Sequence, residues 1–137
     1  METTAELDAA IARFVRAFIR KERQERLLFE LTTPRRRYAG LSRFCHQSGE
    51  LLDLRKIVMS GEDLDHRAEF RRFVAGHDWL CLMLSPELYP EQALLHLAEA
   101  VEQAAVSTDA ALILGDGFAI VFGEAELSGR EKYLLQE

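Results

Sequence analysis

Cysteine and proline are scarce in this sequence, and none of its apolar runs is long. The 137 residues contain 2 Cys and 3 Pro, which excludes a disulfide-rich scaffold and a proline-rich or low-complexity chain. The apolar runs at 79–84 and 118–122 are much too short to cross a membrane. The first residues have neither the basic start nor the apolar segment of a secretion signal. We therefore expect a cytoplasmic protein that does not bind a membrane.

The composition is typical of a folded protein. Hydrophobic residues make up 48% and charged residues 29% of the chain, and this length suits one domain better than two. We expect a single domain over 1–137, with a helical half over about 1–76 and a sheet-containing half over about 77–137. No cofactor or metal is expected.

The two halves of the chain carry opposite charge. Residues 1–72 hold 15 Lys and Arg against 12 Asp and Glu, a balance of +3, whereas residues 73–137 hold 2 against 11, a balance of −9. Halves of opposite sign can attract each other within one chain or between two copies. The basic half alone therefore does not indicate a nucleic-acid surface.

The first half has the periodicity of amphipathic helices. Thr3 and Glu6 have the spacing of a capping box, and an apolar stripe follows them as far as about residue 20. The stripe then changes side, which predicts that the helix kinks or ends near 21–26. Thr33 as the cap and Pro34 at the first helical position predict a second helix.

The boundary between the halves is less regular. A third helix is expected from about 62 to 75, because acidic residues lie near the start of this segment and Gly76 lies just past its end. The segment 51–59 fits either a short strand or a helical turn.

The second half has the pattern of a sheet. The run at 79–84 is continuously apolar, as in a strand that is buried on both faces. A helix is expected from about 87 or 90 to 105. Two further apolar runs flank Gly115-Asp116-Gly117, which predicts a β-hairpin rather than a phosphate loop, because the glycines do not lead into a helix. The tail at 133–135 fits an edge strand or a helical turn.

Together these patterns predict an α+β fold. We expect N-terminal helices packed on a small mixed sheet that contains one β-α-β unit and a C-terminal β-hairpin. The first two strands would be parallel and joined by a right-handed crossover.

The most suggestive functional feature is a series of arginines in the first two helices. Residues 13–43 contain ten basic and three acidic residues, and guanidinium groups on one helix face suit either a phosphate backbone or an acidic protein surface. Local pairing with glutamates, or pairing with the acidic half, would instead make them structural. The candidate anion-binding or partner-binding residues are Arg13, Arg16, Arg20, Arg23, Arg35, Arg36 and Arg43.

The start of the second helix is a second candidate site for an anion. Arg35, Arg36 and Arg37 follow Thr33 and Pro34, so their side chains adjoin the free N–H groups of a helix N-terminus. Three arginines there oppose the helix dipole. This suggests that they have an anionic partner, either a phosphate or an acidic protein segment.

Catalytic and metal sites receive little support from the sequence. Glu22 and Glu25 are candidate paired carboxylates on the inner side of the first helix, although a helix break would expose both. The candidate metal ligands are Cys45, His46, His77 and Cys81, whose spacing is not that of a structural zinc site. Neither cysteine has a histidine and acid partner fixed by the sequence.

These observations lead to three functional hypotheses. The first is a non-enzymatic binding or regulatory module whose basic half contacts a protein partner or a second copy of the chain. The alternative is RNA, DNA or polyanion binding through the same arginines. The third is a small enzyme whose groups converge only in three dimensions. In addition, we interpret Phe14, Phe18, Tyr38 and Phe44 as core residues, which leaves no exposed aromatic side chain among the arginines.

Overall fold

The computed structural model describes residues 4–85 and 93–137, and within these ranges the chain forms one sheet with helices on both faces. The helices are α1 (Thr4–Phe18), α2 (Gln24–Thr32), α3 (Pro34–His46), α4 (Ser48–Leu51), α5 (Ala68–Gly76) and α6 (Leu97–Val106). The strands are β1 (Ile57–Ser60), β2 (Leu80–Leu84), β3 (Ala93–His96), β4 (Ala111–Leu114), β5 (Phe118–Phe122) and β6 (Lys132–Gln136).

The sheet confirms the predicted α+β class but is antiparallel throughout. Its strand order is β1-β6-β5-β4-β2-β3, and every neighbouring pair runs antiparallel. The predicted mixed sheet, with the first two strands parallel, is therefore wrong. The reason is the additional strand β3, which turns back along β2 before the chain enters α6.

A β-α-β unit is nevertheless present in a different place. Because β2 is antiparallel to both of its neighbours, β3 and β4 run in the same direction with β2 between them. Helix α6 connects these two strands. The unit therefore begins at residue 93 rather than at 79, and its two parallel strands are not adjacent.

The alternation of side chains along the strands explains the continuous apolar runs. In β2, Leu82 and Leu84 belong to the core cluster beneath α1–α4, while Cys81 and Met83 belong to the cluster beneath α5 and α6. Successive side chains point to opposite faces of a sheet. A strand that is covered on both faces must therefore be apolar at every position.

The predicted hairpin is confirmed and depends on two glycines. β4 pairs with β5 in register from Ala111↔Phe122 to Leu114↔Ala119. Gly117 has φ +82°, which L-residues rarely adopt, and a Cβ at Gly115 would collide with the Phe118 ring. The turn sequence thus fixes the register of the two central strands.

The end of the first helix lies close to the predicted 21–26, and the start of α3 is where the sequence predicts it. α1 ends at Phe18, and Ile19 forms an isolated bridge with Leu52 before α2 begins. α3 starts at Pro34 as predicted, although the side chain of Thr33 does not cap it and instead donates to the Phe29 carbonyl oxygen at 2.6 Å.

Other boundaries differ from the predictions. The third long helix begins at Ala68 rather than near 62, because a strand, a turn and a short 3-10 helix occupy residues 57–66. The end of the ambiguous segment 51–59 is therefore a strand, because β1 begins at Ile57. The helix expected from 87 or 90 starts only at Leu97, and its predicted portion up to residue 92 lies outside the described residues. The tail forms β6, which lies inside the sheet rather than at its edge.

Arg130 connects three parts of the second half. Its Nε donates to Gly123 O at 2.7 Å, and its terminal nitrogens donate to Ala104 O at 3.0 Å and Asp109 O at 2.7 Å. The guanidinium group also lies over the Phe122 ring, 5.1 Å from its centre. One side chain thus links α6, the segment before β4 and the end of β5.

We expect Arg130→Ala to lower the free energy of unfolding by about 2–4 kcal/mol, because charge-assisted hydrogen bonds and partly buried carbonyl partners are lost together. Urea denaturation followed by circular dichroism measures this change. Arg71→Ala on the exposed surface of α5 is the matched control and should change stability by about 0.5 kcal/mol or less. Equal stability of the two variants would contradict this role of Arg130.

Candidate functional site

The structure divides the predicted arginines into two groups. The first group has partners inside the chain. Arg13 forms ion pairs of 3.1 Å with both Asp116 and Glu137, in the turn after β4 and at the end of the chain. The acidic half of the chain thus neutralises the first arginine of the predicted series.

Arg20 and Arg43 also bind within the protein. Arg20 Nε donates to Leu52 O at 3.0 Å, so this side chain holds the segment after α4 against the end of α1. Arg43 forms a hydrogen-bonded ion pair with Glu30 between α3 and α2. Arg20 and Arg43 are therefore not part of a continuous basic stripe on the surface.

The second group comprises Arg16, Arg23, Arg35 and Arg36. All four are exposed, and no ion pair to any of them is found in the described part of the chain. Arg16 and Arg23 lie around the junction of α1 and α2, whereas Arg35 and Arg36 begin α3. These are the predicted side chains that remain available to a partner.

Two aromatic side chains lie beside the second of these pairs. Phe29 is 55% exposed and Tyr38 48% exposed, and the Arg36 guanidinium carbon is 5.6 Å from the centre of the Phe29 ring. The prediction that Tyr38 is a core residue is therefore wrong, whereas Phe14, Phe18 and Phe44 are buried as expected. We call the group formed by Arg26, Phe29, Arg35, Arg36 and Tyr38 the hairpin surface, since it lies on the consecutive helices α2 and α3, which Thr33 joins.

Close packing of α2 against α3 makes this surface. A Cβ at Gly40 would lie 2.8 Å from Glu30 Cβ, so glycine is what lets the two helices approach there. Leu27 and Leu31 occupy the buried side of α2. Phe29 lies two positions from each of them, so it points to the opposite side of the helix. This spacing in the sequence indicates that Phe29 is exposed.

The first turn of α3 does not bring its three arginines together. The side chain of Arg37 is only 12% exposed. Its Nε donates to Leu31 O at 2.6 Å, and it forms an ion pair with Asp8 at 3.3 Å. Since Arg36 lies over Phe29 instead, Arg36 and Arg37 do not converge on one anion.

The candidate catalytic groups are not arranged for catalysis. Glu22 and Glu25 are both exposed. Burial raises the pKa of the Cys45 thiol to about 12, with Glu124 adding to the effect, and burial together with Asp78 raises the pKa of Cys81 to about 11. Both thiols therefore stay protonated near neutral pH and are poor nucleophiles.

No metal-binding group is found within residues 4–85 and 93–137. There, no cluster of three or more His, Cys, Asp or Glu side chains is placed to hold an ion. The candidate ligands Cys45 and His46 lie at the end of α3, while His77 and Cys81 lie on the other side of the sheet. His77 stacks on Phe73 at 4.0 Å between ring centres.

A polar groove of about 580 Å³ runs between the end of α3 and the segment 123–133. His46 Nδ1 lies 3.7 Å from Glu126 Oε1. Glu131 accepts a hydrogen bond from the Ser48 hydroxyl at 3.4 Å, and burial together with Glu131 raises the pKa of Tyr133. Among its described residues the groove thus contains several carboxylates, and the pKa values of Cys45 and Tyr133 are raised rather than lowered.

Lys132 beside this groove has a structural role. Its Nζ donates to Glu62 O and to Asp65 Oδ1, both at 2.6 Å, and the side chains of Lys132 and Asp65 are each 9% exposed. Burial opposes ionisation of Asp65. The hydrogen bonds from Lys132 and from its own backbone outweigh that cost, so the pKa of Asp65 is lowered.

No protein-family model, no curated protein and no solved structure shows a significant match to the chain. Within the described residues, no helix has the length and apolar character needed to span a membrane.

The Asp65–Lys132 pair predicts a specific dependence of stability on pH. Asp65→Asn should cost about 3 kcal/mol at neutral pH, because it leaves the Lys132 ammonium buried without its counter-charge. The contribution is present above the unfolded-state pKa of about 3.9 and is lost as the pH falls toward the lower folded-state pKa. The difference between variant and wild type in urea denaturation should therefore shrink on acidification.

Asp63→Asn on the same segment is the matched control, since Asp63 is exposed and its substitution should leave this pH dependence intact. If Asp65→Asn lowered the free energy of unfolding equally at neutral and at acidic pH, loss of the ion pair would not be the cause of the destabilisation.

Proposed function

We propose that this protein is a small non-enzymatic binding module that contacts an acidic protein surface through its hairpin surface. The observation that carries the proposal is the pair Arg35 and Arg36 at the start of α3. These arginines are exposed, are without an ion pair in the described residues, and adjoin two exposed aromatic rings.

The composition of the surface favours a protein partner. Arginine, tyrosine and phenylalanine are enriched where proteins bind proteins, and such side chains carry much of the binding energy. Guanidinium groups form paired hydrogen bonds with carboxylates, while Phe29 and Tyr38 offer apolar area to the same partner. An acidic partner surface with an apolar side chain at its centre suits this arrangement.

The raised thiol pKa values and the exposure of Glu22 and Glu25 support a role in binding rather than catalysis. The proposal also places the protein in the cytoplasm. In support of that location, Cys45 and Cys81 are buried free thiols, as is usual in a reducing compartment.

Nucleic-acid binding is the second candidate function. Exposed aromatic rings beside arginines are typical of surfaces that bind single strands, and Phe29 and Tyr38 supply them. Against it, Arg13 and Arg20 are held by partners inside the chain. The arginines that remain available do not form one continuous stripe along α1, so the observations favour the protein partner.

Fluorescence anisotropy with two labelled probes tests the proposal. One probe is a short glutamate-rich peptide with a central phenylalanine, and the other is a short single-stranded RNA. We expect the peptide to bind at low salt, and Arg35→Glu with Arg36→Glu to weaken that binding by about tenfold or more, the equivalent of about 1.4 kcal/mol.

Arg71→Glu with Arg72→Glu on α5 is the matched control, because it changes the net charge equally on an exposed surface elsewhere. It should leave peptide binding unchanged. Tighter binding of the RNA than of the peptide, with a steep loss of affinity on adding salt, would favour the nucleic-acid candidate. Binding of neither probe would contradict the proposed function.

A further inference from the structure

The outer face of α3 is a helix surface that no other described part of the chain covers. Arg35, Tyr38, Ala39 and His46 are exposed on it and Ser42 is half-buried, and at 100° per residue these positions share one side of the helix. The opposite side contains the buried residues of α3. This face therefore runs the whole length of α3 and is bounded by its two ends.

The two ends of the face carry opposite charge. Arg35 lies at its beginning, and Arg36 lies next to it on the side of α2, over the Phe29 ring. At its end the segment after β5 approaches α3: His46 Nδ1 is 3.7 Å from Glu126 Oε1, and Glu124 lies close enough to Cys45 to raise its pKa. Glu124 and Glu126 are both exposed, so the acidic end remains available to a partner.

Each end also carries an exposed apolar side chain. Phe29 adjoins Arg36 at the basic end. At the acidic end Leu127 is fully exposed in a turn that is closed by hydrogen bonds between the backbones of Glu126 and Gly129. One end thus offers cations beside an aromatic ring, and the other offers carboxylates beside a leucine.

We propose that the partner of this surface is a second copy of the chain, paired across the outer face of α3 by a two-fold axis. This proposal rests on the proposed function and names its acidic partner. With the two α3 helices antiparallel, Arg35 and Arg36 of each copy face Glu124 and Glu126 of the other. The charged contact is then made twice, and Leu127 of each copy approaches Phe29 of the other.

The geometry of α3 suits this pairing. At 1.5 Å per residue the two ends of the face are separated by about 16 Å, a distance that the same helix of the second copy spans equally. Ala39 and Ser42 lie between the ends, and small side chains there let two helices approach closely. A two-fold contact is self-complementary and closes after two copies, so it yields a dimer rather than a filament.

Sedimentation velocity of the full chain over a wide concentration range tests the pairing. The variants used exchange the charges at the two ends of the face. Wild-type protein should show a reversible monomer–dimer equilibrium. Arg35→Glu with Arg36→Glu, and separately Glu124→Arg with Glu126→Arg, should each weaken the dimer by about a hundredfold or more, since like charges then face each other at both contacts.

Mixing the two variants should restore a dimer, because both contacts in the mixed pair are again between opposite charges. A chain that carries all four substitutions should dimerise by itself for the same reason. Arg71→Glu with Arg72→Glu should dimerise like the wild type. Circular dichroism verifies folding, and the glutamates at the start of α3 are favourable to the helix.

Ala39→Arg provides a separate test at the centre of the face. The substituted arginines of the two copies would lie close together across the two-fold axis. Because both are bulky cations, the substitution should also abolish the dimer. A monomer at every concentration, a dimer unaffected by the charge exchanges, or a mixture that stays monomeric would each overturn the proposal. A monomer that still binds the acidic peptide would leave the proposed function standing.

Discussion

The constraint on which the rest of the structure depends is the double-sided burial of the sheet. Each of the strands β2, β4 and β5 contributes side chains to both core clusters, so neither face of the sheet can be left in water. The first four helices cover one face, while α5 and α6 cover the other. Burial of this apolar surface is the largest favourable contribution to folding.

This burial determines which arginines have partners. The apolar stripe of α1 lies against the sheet, which brings Arg13 to the rim near the β4–β5 turn and the end of β6. Arg13 thus pairs with the acidic half of the chain at this rim. The hairpin surface lies on the outer side of α2 and α3, and Arg35 and Arg36 have no carboxylate partner in the described residues. Like Arg16 and Arg23, these two arginines are exposed on the surface of the basic half.

Local patterns predicted the elements with strong signals. The start of α3 at Pro34, a helix break near the predicted 21–26 and the β4–β5 hairpin each follow from residues within a few positions of one another, although the break comes earlier, after Phe18. Strand β3 was missed because four residues next to a helix do not establish a periodicity. The direction of the strands was wrong for the same reason, since inserting β3 reverses the chain before α6.

The candidate site was only partly predictable. Arg35 and Arg36 were identified from the sequence, but the internal roles of Arg13 and Arg20 depend on partners 124 and 32 positions away, which no local pattern contains. The exposure of Tyr38 depends on how α3 packs against α2. The acidic end of the α3 face depends on folding the segment after β5 against His46. Long-range packing, rather than helix periodicity, decides these features.

The pairing of two copies across α3 is tested most directly by the amide chemical shifts of the wild-type protein, recorded by NMR from dilute to concentrated solution. If two copies pair across α3, the shifts should change progressively at Arg35, Tyr38 and Ser42 and in the segment around Glu126 and Leu127. The amides of α5 should stay constant. Unchanged shifts along α3 over the whole concentration range, or changes confined to another surface, would contradict the pairing.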